Sequence, residues 1–262
     1  MRVDGATAHI GDRADPERQE IAVDGRPLPR AKPVYWLVHK PVGVLTTTRD
    51  PGGRRTVLDL LPSGLPRLFP VGRLDAPTEG LVLLTNDGEA AQALLHPSLE
   101  SEREYRVTAR GRVSDAALAQ LARGIELEDG WTAPARVGAA RFDARSGATI
   151  FSLTLHEGRK RQIRRALDVL GHPVVRLVRT RMGPLRLGRL PAGSARPLAA
   201  EEIAALRRHV RRLLGSAAEP TRQAAGKRAP QAAGSVSKFR SRARPKPPNS
   251  CRNTLNNNRF SV

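Results

Sequence analysis

The chain has 262 residues, 39% of them hydrophobic, with a formal net charge of +20 and a sequence pI of about 11.6. That is enough apolar material for one large domain or two smaller ones, and far more positive charge than solubility requires, so a polyanionic partner is expected and nucleic acid leads. The single cysteine, Cys251, excludes an internal disulfide and a cysteine-rich zinc cluster; without an apolar run long enough for a bilayer or a secretory leader pattern at the start, the expected location is the cytoplasm.

In chain order, the stretch before Pro33 is short and polar and carries two similar turns, Val3-Asp4-Gly5 and Val23-Asp24-Gly25, too little for a core of its own. Runs of β type follow at Val34 to His39 and Leu81 to Thr85. Asn86 with Glu89 has the spacing of a capping box and opens a helix that His96-Pro97 stops. A strand is expected from Glu104 to Ala109, and a helix from Ser114 to Arg123 with Ser114 as cap and Gly124 as terminator. In the strand Ile150 to Leu155, Phe151, Leu153 and Leu155 alternate with Ser152 and Thr154, which predicts a sheet covered on one side and partly open on the other, a face that can receive RNA. A helix from about Arg161 to Leu170 turns Ile163, Leu167 and Leu170 inward and keeps a basic outer face; it is followed by a strand from Val174 to Val178. Ala200 to Leu214 closes the folded part as a helix with Ile203, Leu206, Val210 and Leu213 on one face and Gly215 as its stop. From Ser216 to Val262, ten Lys or Arg against Glu219 alone, with almost no large apolar residues, predict a disordered basic tail. The order of elements lacks the alternation of a doubly wound parallel fold, so the expected class is α+β with a largely antiparallel mixed central sheet flanked by helices.

Three segments stand apart from ordinary core and surface: Val71-Gly72-Arg73-Leu74-Asp75 through Thr85-Asn86-Asp87-Gly88, then Arg103-Glu104-Tyr105, then Glu157 through Arg165. Taken singly each has a plain reading. An Asp in a Gly-rich loop is more often a turn or cap residue, a Tyr at the start of a strand is usually packing, and a basic run on a helix is usually a solvated face. The histidines His39, His96, His156 and His172 lack ligand spacing and read as structural, and no Gly-rich loop with a following Lys-Ser or Lys-Thr suggests nucleotide hydrolysis.

Together, and in this order, these segments resemble the bacterial ribosomal RNA pseudouridine synthases that usually begin with a small RNA-binding domain named after a small-subunit ribosomal protein. The resemblance runs from about Pro33 to Leu214 through His39-Lys40-Pro41-Val42-Gly43, Gly72-Arg73-Leu74-Asp75, Thr78-Glu79-Gly80-Leu81, Glu104-Tyr105, Gln162-Ile163-Arg164-Arg165 and Leu177-Val178-Arg179 into Met182-Gly183-Pro184-Leu185. It implies the pseudouridine synthase fold and isomerisation of uridine in ribosomal RNA, with the large subunit favoured and with no cofactor and no metal; the oligomeric state is not readable from the sequence, and a monomer is the default. On this resemblance Asp75 is the catalytic carboxylate, Arg164 the cation that keeps it ionised, and Tyr105 the ring that stacks on the base and helps remove a proton from it. Leu177 is expected under the base, with plain strand core as its alternative, and Arg73 in the gap left by the flipped uridine, with a phosphate contact as its alternative. Lys40, Arg103, Lys160, Arg161 and Arg165 are expected to be phosphate contacts, about half of them in use. The usual leading domain needs about sixty residues, so residues 1–32 read as its remnant, with Val3-Asp4-Gly5 and Asp15-Pro16 through Gly25 as its last strands. Residues 33–215 are then the catalytic domain and 216–262 the tail. The competing functions are a catalytically silent RNA-binding or ribosome-assembly factor and a nucleoside hydrolase that would release free uracil.

Overall fold

The computed structural model describes residues 1–14, 18–28, 32–99 and 101–217, and the side chains of these up to 215. The expected tail therefore lies outside the described residues from 218 on, its first two residues, Ser216 and Ala217, being the end of the last helix, and Asp15-Pro16 lies outside them too. At the front, β1 (Arg2–Val3), β2 (Ala6–Thr7), β3 (Ile21–Val23) and β4 (Arg26–Pro27) form a small antiparallel sheet in the order β2-β1-β3-β4. Both Val-Asp-Gly turns are two-residue hairpin loops, with φ of +48° and +82° at Asp4 and Gly5 and +50° and +75° at Asp24 and Gly25. Two consecutive left-handed residues match the twist of the flanking strands, and Asp-Gly tolerates them better than other pairs.

The rest is built on one ten-stranded sheet. Its spine follows the order β11 (Arg136–Val137), β13 (Ala148–Leu155), β8 (Arg103–Arg110), β14 (Val174–Met182), β7 (Glu79–Thr85), β5 (Tyr35–Lys40) and β16 (Ala195–Pro197). Off this path β12 (Arg141–Asp143) pairs with β13, β15 (Leu185–Arg186) with β14, and β6 (Phe69–Val71) with β7. Two short strands, β9 (Glu126–Leu127) and β10 (Gly130–Trp131), make a separate hairpin. Every pairing is antiparallel except one: β14 lies parallel to β7 through Val178 opposite Glu79 and Arg179 opposite Gly80. The sheet is thus largely antiparallel and mixed, with helices on its faces, and the class is α+β. At the seam Gly80 sits at φ +117°, and a Cβ there would come within 2.4 Å of the backbone N and O of Arg179, so the chain needs glycine where the two halves of the sheet join.

Four helices pack on this sheet: α1 (Gly88–Leu95), α2 (Asp115–Arg123), α3 (Gln162–Val169) and α4 (Ala200–Ala217). One buried cluster joins Leu81, Leu83 and Val178 to Leu94 of α1 and to Leu206 and Val210 of α4. A second joins Val107, Phe151, Leu153 and Leu177 to Leu121 of α2 and to Ile163 and Leu167 of α3. A third packs Val38, Val82 and Leu84 against Val44, Val57, Leu68 and Leu74 of the long connection between β5 and β7. Tyr105 touches both the second and the third cluster, so these two lie on one side of the sheet and meet at this ring. Among the described residues no helix is long and apolar enough to cross a membrane.

The helix boundaries differ from expectation in instructive ways. Asp87, not Asn86, caps α1 by accepting from the backbone N–H of Ala90 at 3.0 Å, while Asn86 accepts from Val34 N at 2.7 Å and ties the helix to β5. Ser114 caps α2 as expected, and Gly124 ends it at φ +112°, with its Cα against the Thr132 carbonyl. Gly215 does not stop α4, which continues to Ala217; a glycine costs a helix only about 1 kcal/mol and needs a left-handed turn to end it, and Gly215 makes none.

Candidate active site

Asp75 sits in the turn between β6 and β7 whose backbone is fastened at every step. The buried hydroxyl of Thr46 donates to the Leu74 carbonyl at 3.0 Å and accepts from Leu74 N at 3.3 Å. Gly43 N donates to the Ala76 carbonyl at 2.9 Å, Arg164 Nη2 to the Pro77 carbonyl at 2.9 Å, and Thr78 N closes the turn on the Asp75 carbonyl at 3.0 Å. The Asp75 carboxylate itself is half-buried and makes no hydrogen bond or ion pair among the described residues. A fixed loop that leaves its carboxylate unengaged is what a nucleophile or an electrostatic stabiliser requires, because the positioning has been done before substrate arrives.

Lys40 is the largest departure from the sequence reading. Expected on an RNA phosphate, it is fully buried at the end of β5, and its Nζ donates to the carbonyls of Pro41 at 2.9 Å and Ala76 at 3.2 Å, directly under the Asp75 turn. Burial pulls its pKa down from 10.5 to about 8, while the negative charges of Asp75 and Glu79 push the other way. At neutral pH it is a buried ammonium facing the peptide that follows Asp75. Its phosphate role is corrected: a side chain with no exposed surface and both contacts on the main chain does not reach RNA.

Arg164 lies in the first turn of α3, whose start is fixed by Gln162, which accepts from Arg159 N at 3.3 Å and donates to Glu157. Its Nη1 donates to the Val174 carbonyl at 3.2 Å and its Nη2 to Pro77, so the guanidinium bridges α3, β14 and the Asp75 turn. Desolvation lowers its proton affinity, the nearby Arg161 adds to this, and Asp75 and Asp168 oppose it. The cation thus senses Asp75 through space and through the backbone, not by a direct ion pair, and its Nε is buried without a partner. Arg161, just before, holds φ +52°, a left-handed conformation uncommon for a side chain of this size, and stays exposed at the start of α3.

Tyr105 in β8 and Leu177 in β14 lie on the sheet face that α2 and α3 cover. Both therefore lie on the covered face, where the two packed clusters meet, and not on the open face that the alternation in β13 offered to RNA. Beside Tyr105 in register, Arg179 is buried with its Nε on the Leu81 carbonyl at 2.8 Å and its Nη2 unpartnered. Sequence reasoning gave Arg179 and Thr46 no role; an arginine in an apolar strand run was the available signal for the first, and nothing marked the second.

The other basic residues separate into two groups. Arg103 is buried and donates to the carbonyls of Leu94 and His156, and Arg165 is paired with Asp129 at 2.7 Å, so neither is free to bind phosphate; both expectations are corrected. Arg73, Lys160 and Arg161 are exposed. Among the described residues no group of three His, Cys, Asp or Glu is placed to hold a metal ion.

A carboxylate on a clamped loop, with a buried ammonium and a guanidinium bound to the carbonyls that follow it, is the arrangement of an enzyme site. The chain belongs to the RNA pseudouridylate synthase family, whose sequence profile matches residues 34–168. It is similar to the ribosomal large subunit pseudouridine synthase B of Bacillus subtilis, 42% identical over 188 residues covering 72% of this chain and 77% of that one. The protein of the same name from Shigella flexneri is also 42% identical, over 74% of this chain and 69% of its own length. Among solved structures, a crystal structure of a pseudouridylate synthase superposes with a TM-score of 0.61 at 31% identity, covering 78% of this chain and 87% of the other.

Proposed function

We propose that this protein isomerises a uridine of ribosomal RNA, in the large subunit, to pseudouridine, with Asp75 as the catalytic carboxylate. The observation that carries the proposal is the convergence of Lys40 from β5 and Arg164 from α3 on the Asp75 turn, with Tyr105 of β8 packed against the cluster that contains the neighbouring Leu74. The printed names of the relatives support the choice of large-subunit RNA.

In the reaction the bond from ribose C1′ to N1 of the base breaks, the base turns, a bond from C1′ to C5 forms, and the proton on C5 is lost while N1 gains one. Every atom is retained and no electrons leave, so the chemistry consumes nothing, and we propose a monomer acting in the cytoplasm without metal or organic cofactor. Positive character builds at C1′ as the first bond breaks, and an anionic Asp75 traps or stabilises it. Lys40 and Arg164, bound to the carbonyls of Ala76 and Pro77, place two positive charges beside the Asp75 turn, where negative charge is needed. Tyr105 stacks on the base against Leu177 and is placed to receive the C5 proton. Because the target must leave its helix to reach this floor, exposed Arg73 beside Asp75 covers the vacated stack, and Lys160 and Arg161 hold the flanking phosphates.

The test is pseudouridine mapping of large-subunit ribosomal RNA incubated with purified protein, wild type and Asp75→Asn. Wild type is expected to modify one position and the variant to bind the same RNA without product. Equal product from both would refute the assignment of Asp75, and release of free uracil would replace the isomerase with a hydrolase.

A further inference from the structure

The sheet has a second surface that the Asp75 site does not use. Cross-strand partners share a face, and the partners of the buried residues Val107, Phe151 and Leu153 point into the α2 and α3 cluster. The residues between them therefore face the other way. They form rows across β12, β13, β8 and β14: Arg141 with Ile150, Thr108 and Arg176, and beside it Ser152 with Arg106. Arg110 follows two residues beyond Thr108. Neither α1 nor α4 covers this half, since both pack on the β5, β7 and β14 side, and Arg106, Arg110, Arg141 and Ser152 are exposed.

What distinguishes this face is that its cations are uncommitted. Arg106, Arg110 and Arg141 have no ion pair and no side-chain hydrogen bond among the described residues. The two acids nearest them are already occupied: Glu79 is gripped by both Nε and Nη2 of Arg176 at 2.9 and 2.8 Å, and Asp143 accepts from Ser146 Oγ at 2.8 Å and Arg145 N at 3.2 Å. On the same sheet Arg136 and Arg181 are instead neutralised, by Glu102 and Glu104. Three guanidinium groups without an ion pair on one exposed face of the sheet add charge repulsion and no stabilising contact to the fold. Arg106 and Arg110, four residues apart on β8, project about 13 Å apart, roughly two steps along a nucleic acid backbone, with the Thr108 hydroxyl between them and that of Ser152 beside Arg106.

We propose that this face is a second RNA-contact surface, which reads phosphates without base preference and holds a segment of a large folded RNA other than the one whose uridine reaches Asp75. It rests on the reading that the substrate is RNA. Being on the opposite side of the sheet, it cannot touch a short stem-loop already seated over Asp75, so it adds affinity only for RNA long enough to reach around the domain, by making the second contact intramolecular.

The test compares wild type with the triple variant Arg106→Gln, Arg110→Gln, Arg141→Gln on two RNAs: a domain-length transcript of large-subunit ribosomal RNA and the isolated stem-loop carrying the mapped uridine. For the long transcript the variant is expected to bind about tenfold more weakly, with a salt dependence shallower by roughly 2 in the log–log slope, as for three lost phosphate contacts. Affinity and turnover on the stem-loop are expected to stay unchanged, which also reports an intact fold. Equal binding of both proteins to the long transcript would overturn the proposal and leave the face to an acidic protein partner. Equal weakening on both RNAs would overturn it too, since bulk charge would then be the cause. A wild type that binds the long transcript through these arginines yet makes no pseudouridine would support this surface while sinking the function proposed above.

Discussion

Replacing Lys40 with Met tests whether a buried ammonium sustains the Asp75 carboxylate. The side chain is fully buried with its Nζ on two carbonyls, one of them the residue after Asp75, and its pKa falls from 10.5 to about 8. At ~1.4 kcal/mol per tenfold change in proton affinity, holding it charged in the fold costs roughly 3 kcal/mol relative to water. Because the folded value lies below the unfolded one, the unfolded chain binds more protons between pH 8 and 10.5, and stability rises with pH through that window as the cost is relieved. Denaturant unfolding of both proteins from pH 7 to pH 10 should show wild type gaining ~2–3 kcal/mol on the variant. Tyr35, whose burial and hydrogen bond to Asp87 push its hydroxyl up to about 12, acts oppositely only above pH 10 and cancels in the comparison. In the activity assay the wild-type rate constant kcat/KM should fall as pH rises through about 8, where the ammonium discharges. The Met variant should run about tenfold slower at pH 7, the effect of losing ~1–2 kcal/mol between opposite charges at an effective dielectric of ~20, and should show no such fall. A stability gap that does not move with pH, or the same alkaline fall in the variant, would refute the reasoning.

Gly80→Ala should destabilise the protein by about 3 kcal/mol or more and abolish activity, because its Cβ would collide with the Arg179 backbone at a left-handed φ; a thermal melt within a degree or two of wild type would contradict this. Thr46→Val keeps the shape but leaves the Leu74 N–H and carbonyl without their shared partner, so it should cost ~1–3 kcal/mol and lower kcat more than it changes RNA affinity, measured by single-turnover kinetics beside filter binding. Arg164→Lys retains the charge but cannot span the Pro77 and Val174 carbonyls together, so kcat should drop about tenfold or more with little change in binding; full activity would show that the fork is not needed.

The long strands and the helices were legible because their burial follows simple periods. The pattern of β13, the apolar stripe of α3 and the cap at Ser114 appear where alternation, 3.6-residue spacing and side-chain oxygen placed them. What escaped depended on partners distant in sequence. Lys40 looks like any surface lysine until the Ala76 carbonyl, 36 residues away, covers it, and Arg165 looks free until Asp129, also 36 residues away, takes it. Asn86 and Asp87 both suit a helix cap, and only the need of Val34 N for an acceptor decides between them. The open face of the sheet was foreseen from the alternation in β13, but a period of two cannot say which face holds the chemistry. Tyr105, packed against both the second and the third cluster, is the observation that favours the covered face. Strands of two or three residues such as β6, β11 and β16 carry too few positions to show any period.

The single parallel pairing at Glu79–Gly80 and Val178–Arg179 has a consequence for how the molecule comes together. The antiparallel β5–β7 and β8–β13 pairings each close a connection of about forty residues, whereas the seam between β7 and β14 closes a loop of about a hundred residues and must form against a larger entropy loss. Asp75 stands on one shore of that seam, Tyr105 and Arg164 on the other. Activity should therefore be the last property recovered on refolding, after most strand and helix signal has returned, and two separately expressed halves divided between α1 and β8 should regain it only when they dock.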